Sequence, residues 1–172
     1  MSGYDDGFPE PARGINLVEA PTDLPVLQRI AAEAVKSRGS EALWIDTGNE
    51  SSTYELSRML EEREMQRVRI GRAFTAFQHH SLVREAEKYL TPAVDTLILS
   101  NLPQMYMEGL DQKEVEDLFL ETWRSLKQLA EKNDLRIVVT ARDRNPLKPF
   151  IRDNCGNELK IEKNSQGVVY DG

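Results

Sequence analysis

A carboxylate that ends an apolar run is well placed to hold a base or a hard metal, and residues 42–46 (ALWID) end in Asp46. Thr47, Gly48 and Asn49 follow, and then Glu50, the only plausible general base nearby. A solvated loop or a helix start is the simpler account of Glu50. A second apolar run, residues 95–100 (DTLILS), ends in Ser100-Asn101. Either residue could hydrogen-bond a water, but neither is a strong ligand for a hard cation. The turn after residues 15–19 (INLVE) is the place for a phosphate loop of the form G-x-x-x-x-G-K-[ST], which needs glycines for close backbone approach, a lysine for charge and a hydroxyl for Mg²⁺. It reads Glu19-Ala20-Pro21-Thr22-Asp23-Leu24-Pro25-Val26. Two prolines remove donors, two carboxylates repel phosphate, and no glycine or lysine is present.

Other candidates stand alone. His79-His80 lies at a helix start, where solvation or capping explains it. Cys155 beside Gly156 has no base partner in sequence and defaults to a bystander thiol. Trp44 and Trp123 sit on strand and helix patterns and read as core. Residues 141–152 (ARDRNPLKPFIR) are different: they carry Arg142, Arg144, Lys148 and Arg152 against one acid, Asp143. Two prolines predict an extended segment, and Phe150 could stack on a base. A solvated basic loop and a phosphate-backbone contact are both open readings.

These residues must be positioned by elements the pattern also predicts. Residues 15–19, 42–46, 68–72, 95–100 and 135–140 read as strands, and the runs in 95–100 and 135–140 are apolar enough for strands buried on both faces. Helical spacing appears from Pro25 to Ser37, where Pro25 suits a first turn. Ser52 and Glu55 form the S-x-x-E pattern of a capping box, with the charged run EEREMQR closing that helix. Gln78 to Leu90 is a further helix, and Asp111 with Glu114 caps the longest one, ending near Asn133. Strands alternating with helices of about a dozen residues predict βαβ crossovers and a mostly parallel sheet. Residues 158–170 read instead as an antiparallel β-hairpin. The expectation is an extended N-terminal arm over residues 1–14 and one α/β domain over 15–172, its parallel sheet flanked by helices.

The 172 residues, 40% apolar and 30% charged, are ordinary for a soluble globular chain. No apolar run reaches the ~20 residues of a membrane span, and the start is acidic, which excludes a membrane protein and a secreted precursor. One cysteine allows no internal disulfide, and with two histidines it cannot complete a four-ligand zinc site, so a reducing, cytoplasmic setting is expected. The net charge of −7 argues against general polyanion binding.

In order and spacing, the segments resemble the ATPase core of the RecA/RadA-type recombinases, especially the archaeal and eukaryotic branch. ALWIDTGN resembles that family's second core strand, IGRAFTAFQHHSLVREAEKYL its Arg-Ala-Phe segment and following helix, VDTLILSNL its strand before the Mg²⁺ aspartate, and LRIVVTARD its strand ending in Thr-Asn-Gln. The likeness runs from about Ile15 to the C-terminal hairpin. It implies a RecA-like fold without the activity. Pro25 and Val26 stand where the family has its phosphate-loop Lys and Thr, and Ser100 where it has the Mg²⁺ Asp. Gly48 replaces the catalytic Glu and Arg142 the γ-phosphate-sensing Gln. No catalytic residue, cofactor or metal is therefore expected. The family's second DNA-binding loop matches residues 141–152, which makes Arg142, Arg144, Lys148 and Arg152 the expected DNA contacts. The implied role is a non-catalytic paralogue that binds a recombinase, with single-stranded DNA as a second ligand and oligomerisation an open option. A regulator or scaffold of the wider RecA/KaiC-like superfamily, unconnected with DNA, is the alternative; a residual nucleotide binder using Glu50 ranks below it.

Overall fold

The structure is a computed structural model that describes residues 7–48, 50–107, 112–164 and 167–171. Along the chain run β1 (Gly14–Glu19), α1 (Val26–Lys36), β2 (Glu41–Asp46), α2 (Thr53–Met59), α3 (Glu62–Met65), β3 (Val68–Arg72) and α4 (Ala76–Ala86). Then come β4 (Val94–Ser100), α5 (Gln112–Asn133), β5 (Arg136–Val139), α6 (Lys148–Asn154), β6 (Asn157–Asn164) and β7 (Gly167–Asp171). Short 3₁₀ turns occupy Glu87–Tyr89 and Leu102–Met107.

One sheet joins every strand, in the order β3-β2-β4-β5-β1-β6-β7. Its first six strands are mutually parallel. β6 runs parallel to β1, so the C-terminal segment enters the main sheet as its sixth parallel strand and does not stand apart from it; β7 then pairs antiparallel with β6 at the rim. Ser165 and Gln166 lie outside the described residues.

The near-continuous apolar runs of the central strands follow from burial on both sheet faces. In β4, Leu97 and Leu99 point into a layer with Phe119, Trp123 and Leu126 of α5, while Ile98 points into the opposite layer with Ile30, Ala34 and Val35 of α1. Each fully buried aliphatic side chain of this kind contributes about 1.5–3 kcal/mol.

Local chemistry sets the helix ends. Thr75 Oγ1 accepts from the Gln78 amide (3.1 Å), so α4 starts at Ala76, two residues ahead of the sequence expectation, and it gives way to a 3₁₀ turn after Ala86. Ser52 Oγ accepts from the Glu55 amide (3.2 Å) as an N-cap. The reciprocal pair of a complete capping box is formed by Glu61 and Glu64 instead, which makes the charged run a separate short helix, α3. The expected cap Asp111 lies outside the described residues.

The expectation of an extended 141–152 segment is corrected. Lys148–Asn154 is helical, with a proline in its first turn. There a missing N–H breaks no intrahelical bond, so Pro149 starts the helix and does not prevent it. Residues 1–6 of the expected arm lie outside the described residues, but its later part is docked. Arg29 stacks over the Phe8 ring at 4.4 Å, and Glu10 meets Arg136 at 3.0 Å. Asn16, buried in β1, holds the Ala12 amide and carbonyl at 3.0 and 2.9 Å. Among the described residues no helix is long and apolar enough to cross a membrane.

Candidate functional site

In open parallel sheets, ligands bind beyond the carboxyl ends of the strands, where connections diverge. Here the order β2-β4-β5-β1-β6 sets five strand ends side by side, and their loops enclose an open cleft of about 1060 Å³. The loop after β1, Gly48, Glu50, Asn101, the Thr140–Asp143 turn and the end of β6 all line it.

At the end of β2 a hydrogen-bonded knot closes the floor. Trp44 Nε1–H donates to Ser100 Oγ (2.9 Å), and the Ser100 hydroxyl donates to Asp46 Oδ1 (2.8 Å). The same carboxylate accepts from the Glu50 amide (3.0 Å), the Ser51 amide (3.2 Å) and the Ser51 hydroxyl (2.7 Å). Arg72 stands 3.9 Å off. The Asp46 side chain is wholly buried, and four neutral donors replace the water that a buried carboxylate would otherwise demand. Ser100 gives its proton to Asp46 and receives one from Trp44, which leaves it no strong claim on a ligand. Trp44 is a core residue, as its strand pattern predicts, but its indole N–H also fixes this knot.

Beside the knot, the amide of Asn101 is open. Its backbone is left-handed (φ 52°), an arrangement asparagine tolerates better than most residues. The Asn101 N–H donates to Thr140 Oγ1 (2.7 Å), but both polar atoms of its buried side chain lack a partner among the described residues. Gly48 lies against it with φ +77°. A β-carbon there would stand 3.4 Å from Asn101 Nδ2 and 3.8 Å from an Arg142 Nη, so glycine serves both the backbone and the packing. Glu50, its main chain held by Gln28 Nε2 (2.8 Å), has its carboxyl pushed up by burial and by Asp46, with Arg142 opposing. An amide, a guanidinium and a carboxyl thus face one cavity. Together they can bind a polar group, but no base–nucleophile pair is formed among the described residues. Asn101 is a site residue whose signal in the sequence is an Asn directly after an apolar strand, able to hydrogen-bond a water.

The four expected DNA contacts fall into two pairs. Arg142 and Arg144 are exposed and carry no ion pair among the described residues. Lys148 is buried and lies 3.0 Å from Glu19 and 2.5 Å from Asp143. Arg152 meets Glu19 at 2.9 Å and Glu158 at 3.6 Å. Burial works to raise the Glu19 carboxyl, but hydrogen bonds from Arg152 and Lys148 outweigh it and hold the group below its usual range. The cleft's other lysines are matched as well, Lys163 to Asp23 at 2.9 Å and Lys160 to Glu162 at 3.1 Å. Phe150 does not face a ligand: its ring packs edge-on against Phe119 and Trp123 with centroids 5.6 and 5.8 Å apart, because the α6 helix turns it toward α5.

The remaining singletons are placed apart from the cleft. His79 is buried in α4 with Nδ1 2.8 Å from the Tyr106 hydroxyl, and burial lowers its pKa to about 3. The Cys155 thiol is pushed up by burial, the opposite of a reactive thiolate. Among the described residues no group of three or more His, Cys, Asp or Glu is arranged to hold a metal ion. No protein-family model matches the chain, and no curated protein matches it.

Proposed function

We propose that this chain is a RecA-fold paralogue without ATPase activity that acts by binding a RadA/RecA-type recombinase and modulating its assembly in recombination and repair. One observation carries the reading. The three loops that the resemblance assigns to phosphate, Mg²⁺ and γ-phosphate sensing follow β1, β4 and β5, three neighbouring strands that open onto one cleft. On the resemblance, each carries another residue where the family has its ATPase residue. Ser100, in place of the Mg²⁺ Asp, is held in the Trp44–Asp46 knot; Pro25 and Val26 stand for the phosphate-loop Lys and Thr, on the loop where Glu19 pairs with Lys148 and Arg152; and Arg142 stands for the sensor Gln. A cleft whose acidic side chains outnumber its basic ones gives a triphosphate little to bind.

Binding a protein partner accords with apolar surface elsewhere. Phe74 and Phe77, in the Arg-Ala-Phe segment, are 76% and 57% exposed, and Tyr54 is 69% exposed. RecA-type domains stack through heterologous faces, and a subunit that cannot hydrolyse ATP can cap or seed such a stack. A reducing, cytoplasmic setting belongs to the same reading.

The test is recovery of the recombinase on the tagged full chain from nuclease-treated extract of the native host, alongside titration with ATP and Mg²⁺. Enrichment of the recombinase without nucleotide binding is the expected result. Absence of the recombinase, or ATP turnover, overturns the proposal.

The alternative, a scaffold unconnected with DNA, is favoured by one observation: two of the four expected DNA contacts, Lys148 and Arg152, are neutralised internally. Arg142→Glu with Arg144→Glu separates the two. If these arginines contact the phosphate backbone, binding of single-stranded DNA falls steeply with salt and is lost in the double variant. Equal, salt-insensitive behaviour of both proteins assigns the chain to the scaffold reading.

A further inference from the structure

On the face of the sheet away from α1, α4 and α5 pack side by side, and a shallow depression of about 220 Å³ opens along their seam. His80 and Arg84, one turn apart on α4, form one wall; Glu121, Arg124, Ser125 and Gln128, within two turns of α5, form the other. Arg84 and Arg124 are exposed and make no ion pair or side-chain hydrogen bond among the described residues. In a chain of net charge −7, two unpaired guanidinium groups converging on one hollow have no structural need to satisfy.

The imidazole between them is fixed from behind. Thr122 Oγ1 donates its single proton to the Leu118 carbonyl (3.0 Å), so its two lone pairs accept from Tyr106 Oη (2.8 Å) and from His80 Nδ1 (2.9 Å). His80 therefore carries its neutral-state proton on Nδ1, and Nε2 is left bare on the side of the hollow, 3.7 Å from Glu121. Protonating His80 places a third cationic donor there without moving the ring. Three positive charges against the single carboxylate then leave two in excess.

We propose that this α4–α5 seam binds a tetrahedral dianion, phosphate either free or as a small monoester, between Arg84, Arg124 and the protonated Nε2 of His80. Guanidinium groups supply paired N–H donors that suit phosphate oxygens. Ser125 and Gln128 add neutral donors at the rim. The charged groups facing His80 are Arg84 from its own helix and Glu121 and Arg124 from α5, with neutral His79 behind. Burial first, and then Arg84, depress its pKa against the pull of Glu121. Bound phosphate dianion reverses that balance, so His80 takes up a proton as the dianion binds. The site lies outside the cleft and does not rest on the function proposed above.

The test uses the ¹⁵N-labelled full chain and the imidazole resonances of its two histidines. Inorganic phosphate and glycerol 3-phosphate are titrated separately against chloride at matched ionic strength. The expected result is a rise of about one pKa unit at His80, equivalent to about tenfold tighter binding of the anion to the protonated form, with His79 unmoved as an internal report on the fold. Arg84→Gln and Arg124→Gln each weaken binding by about tenfold, as loss of a charge-assisted pair requires. Tighter binding of glycerol 3-phosphate identifies a monoester site, and tighter binding of inorganic phosphate a free-phosphate site. A His80 titration that phosphate shifts no further than chloride, or binding that survives in the double arginine variant, overturns the proposal.

Discussion

Asp46→Asn isolates the buried knot, because the two side chains have the same shape and the substitution opens no cavity. Four donors converge on the Asp46 carboxylate, from Ser100, Ser51 twice, and the Glu50 amide. A carboxamide keeps one accepting oxygen and turns an NH₂ toward the other pair. The Ser51 hydroxyl can rotate to accept, but the Ser51 backbone N–H cannot, so one buried donor meets another. An orphaned buried N–H costs about 1–3 kcal/mol, and replacing charge-assisted bonds with neutral ones adds about 1 kcal/mol more. The expected loss is about 3 kcal/mol, which at about 2–4 °C per kcal/mol for a chain of this length lowers Tm by about 6–12 °C. Thermal unfolding followed by circular dichroism reads this directly. Ser100→Ala, which leaves the carboxylate three donors and orphans only the Trp44 indole, costs less, about 1–2 kcal/mol. A Tm within about 2 °C of the parent for Asp46→Asn would show that fixed donors do not hold the carboxylate, and the account of the knot would fail.

Other expectations follow from groups already placed. Lys148→Met keeps the aliphatic stem but strips Glu19 of one cation; because Glu19 is part-exposed and retains Arg152, the loss is about 1–2 kcal/mol by urea unfolding at pH 7. The Glu19 pKa is lowered in the fold, so its contribution is present above its unfolded pKa and disappears as the pH falls through the folded value; the variant shows less acid destabilisation in that window. His79 refuses below pH 6.5 a proton that the unfolded chain accepts, so stability declines by up to about 1.4 kcal/mol per pH unit from there toward about 3. Comparing His79→Leu with the parent at pH 7 and pH 5 checks the sign: the parent must lose more. Asn101→Gly relieves a left-handed backbone and removes an unpartnered amide, and is expected to be neutral or stabilising by up to about 1 kcal/mol, whereas Asn101→Ala keeps the strain. Urea midpoints of the two variants in the opposite order refute that account.

What could be read in the sequence was whatever depends on periodicity. The buried runs of β4 and β5, the stripe of α1 and the alternation of strand with helix reflect two-sided burial, which leaves its mark residue by residue. What escaped was long-range pairing of charge. Lys148 and Arg152 look like free cations in a basic stretch, and only the approach of β1 to α6 brings Glu19, well over a hundred residues earlier, against both. Pro149 misled for a local reason: its effect depends on whether it stands in a first turn or an interior one, and the helix start is not marked by a side-chain cap. The cleft itself was anticipated from the rule about strand ends. The open amide of Asn101 was not: asparagine suits a left-handed backbone, but its residue type does not show that its buried side chain stays unpartnered.

The place of β1 governs how the chain can be made. Its residues Gly14 to Leu17 pair with Arg136 to Val139, and Asn16 to Glu19 with Asn157 to Lys160. Both neighbours of β1 thus follow it by more than a hundred residues. At about 5–20 residues per second, Ile15, Leu17 and Val18 wait roughly 6–24 s on the ribosome for the strand that will cover their edge. During that wait the strands already translated, β2, β3 and β4, can assemble with one another, but the sheet's middle stays open. Folding is consequently a non-local closure around β1. Removing β6 alone would leave that interior strand with an exposed edge and turn the molecule toward self-association.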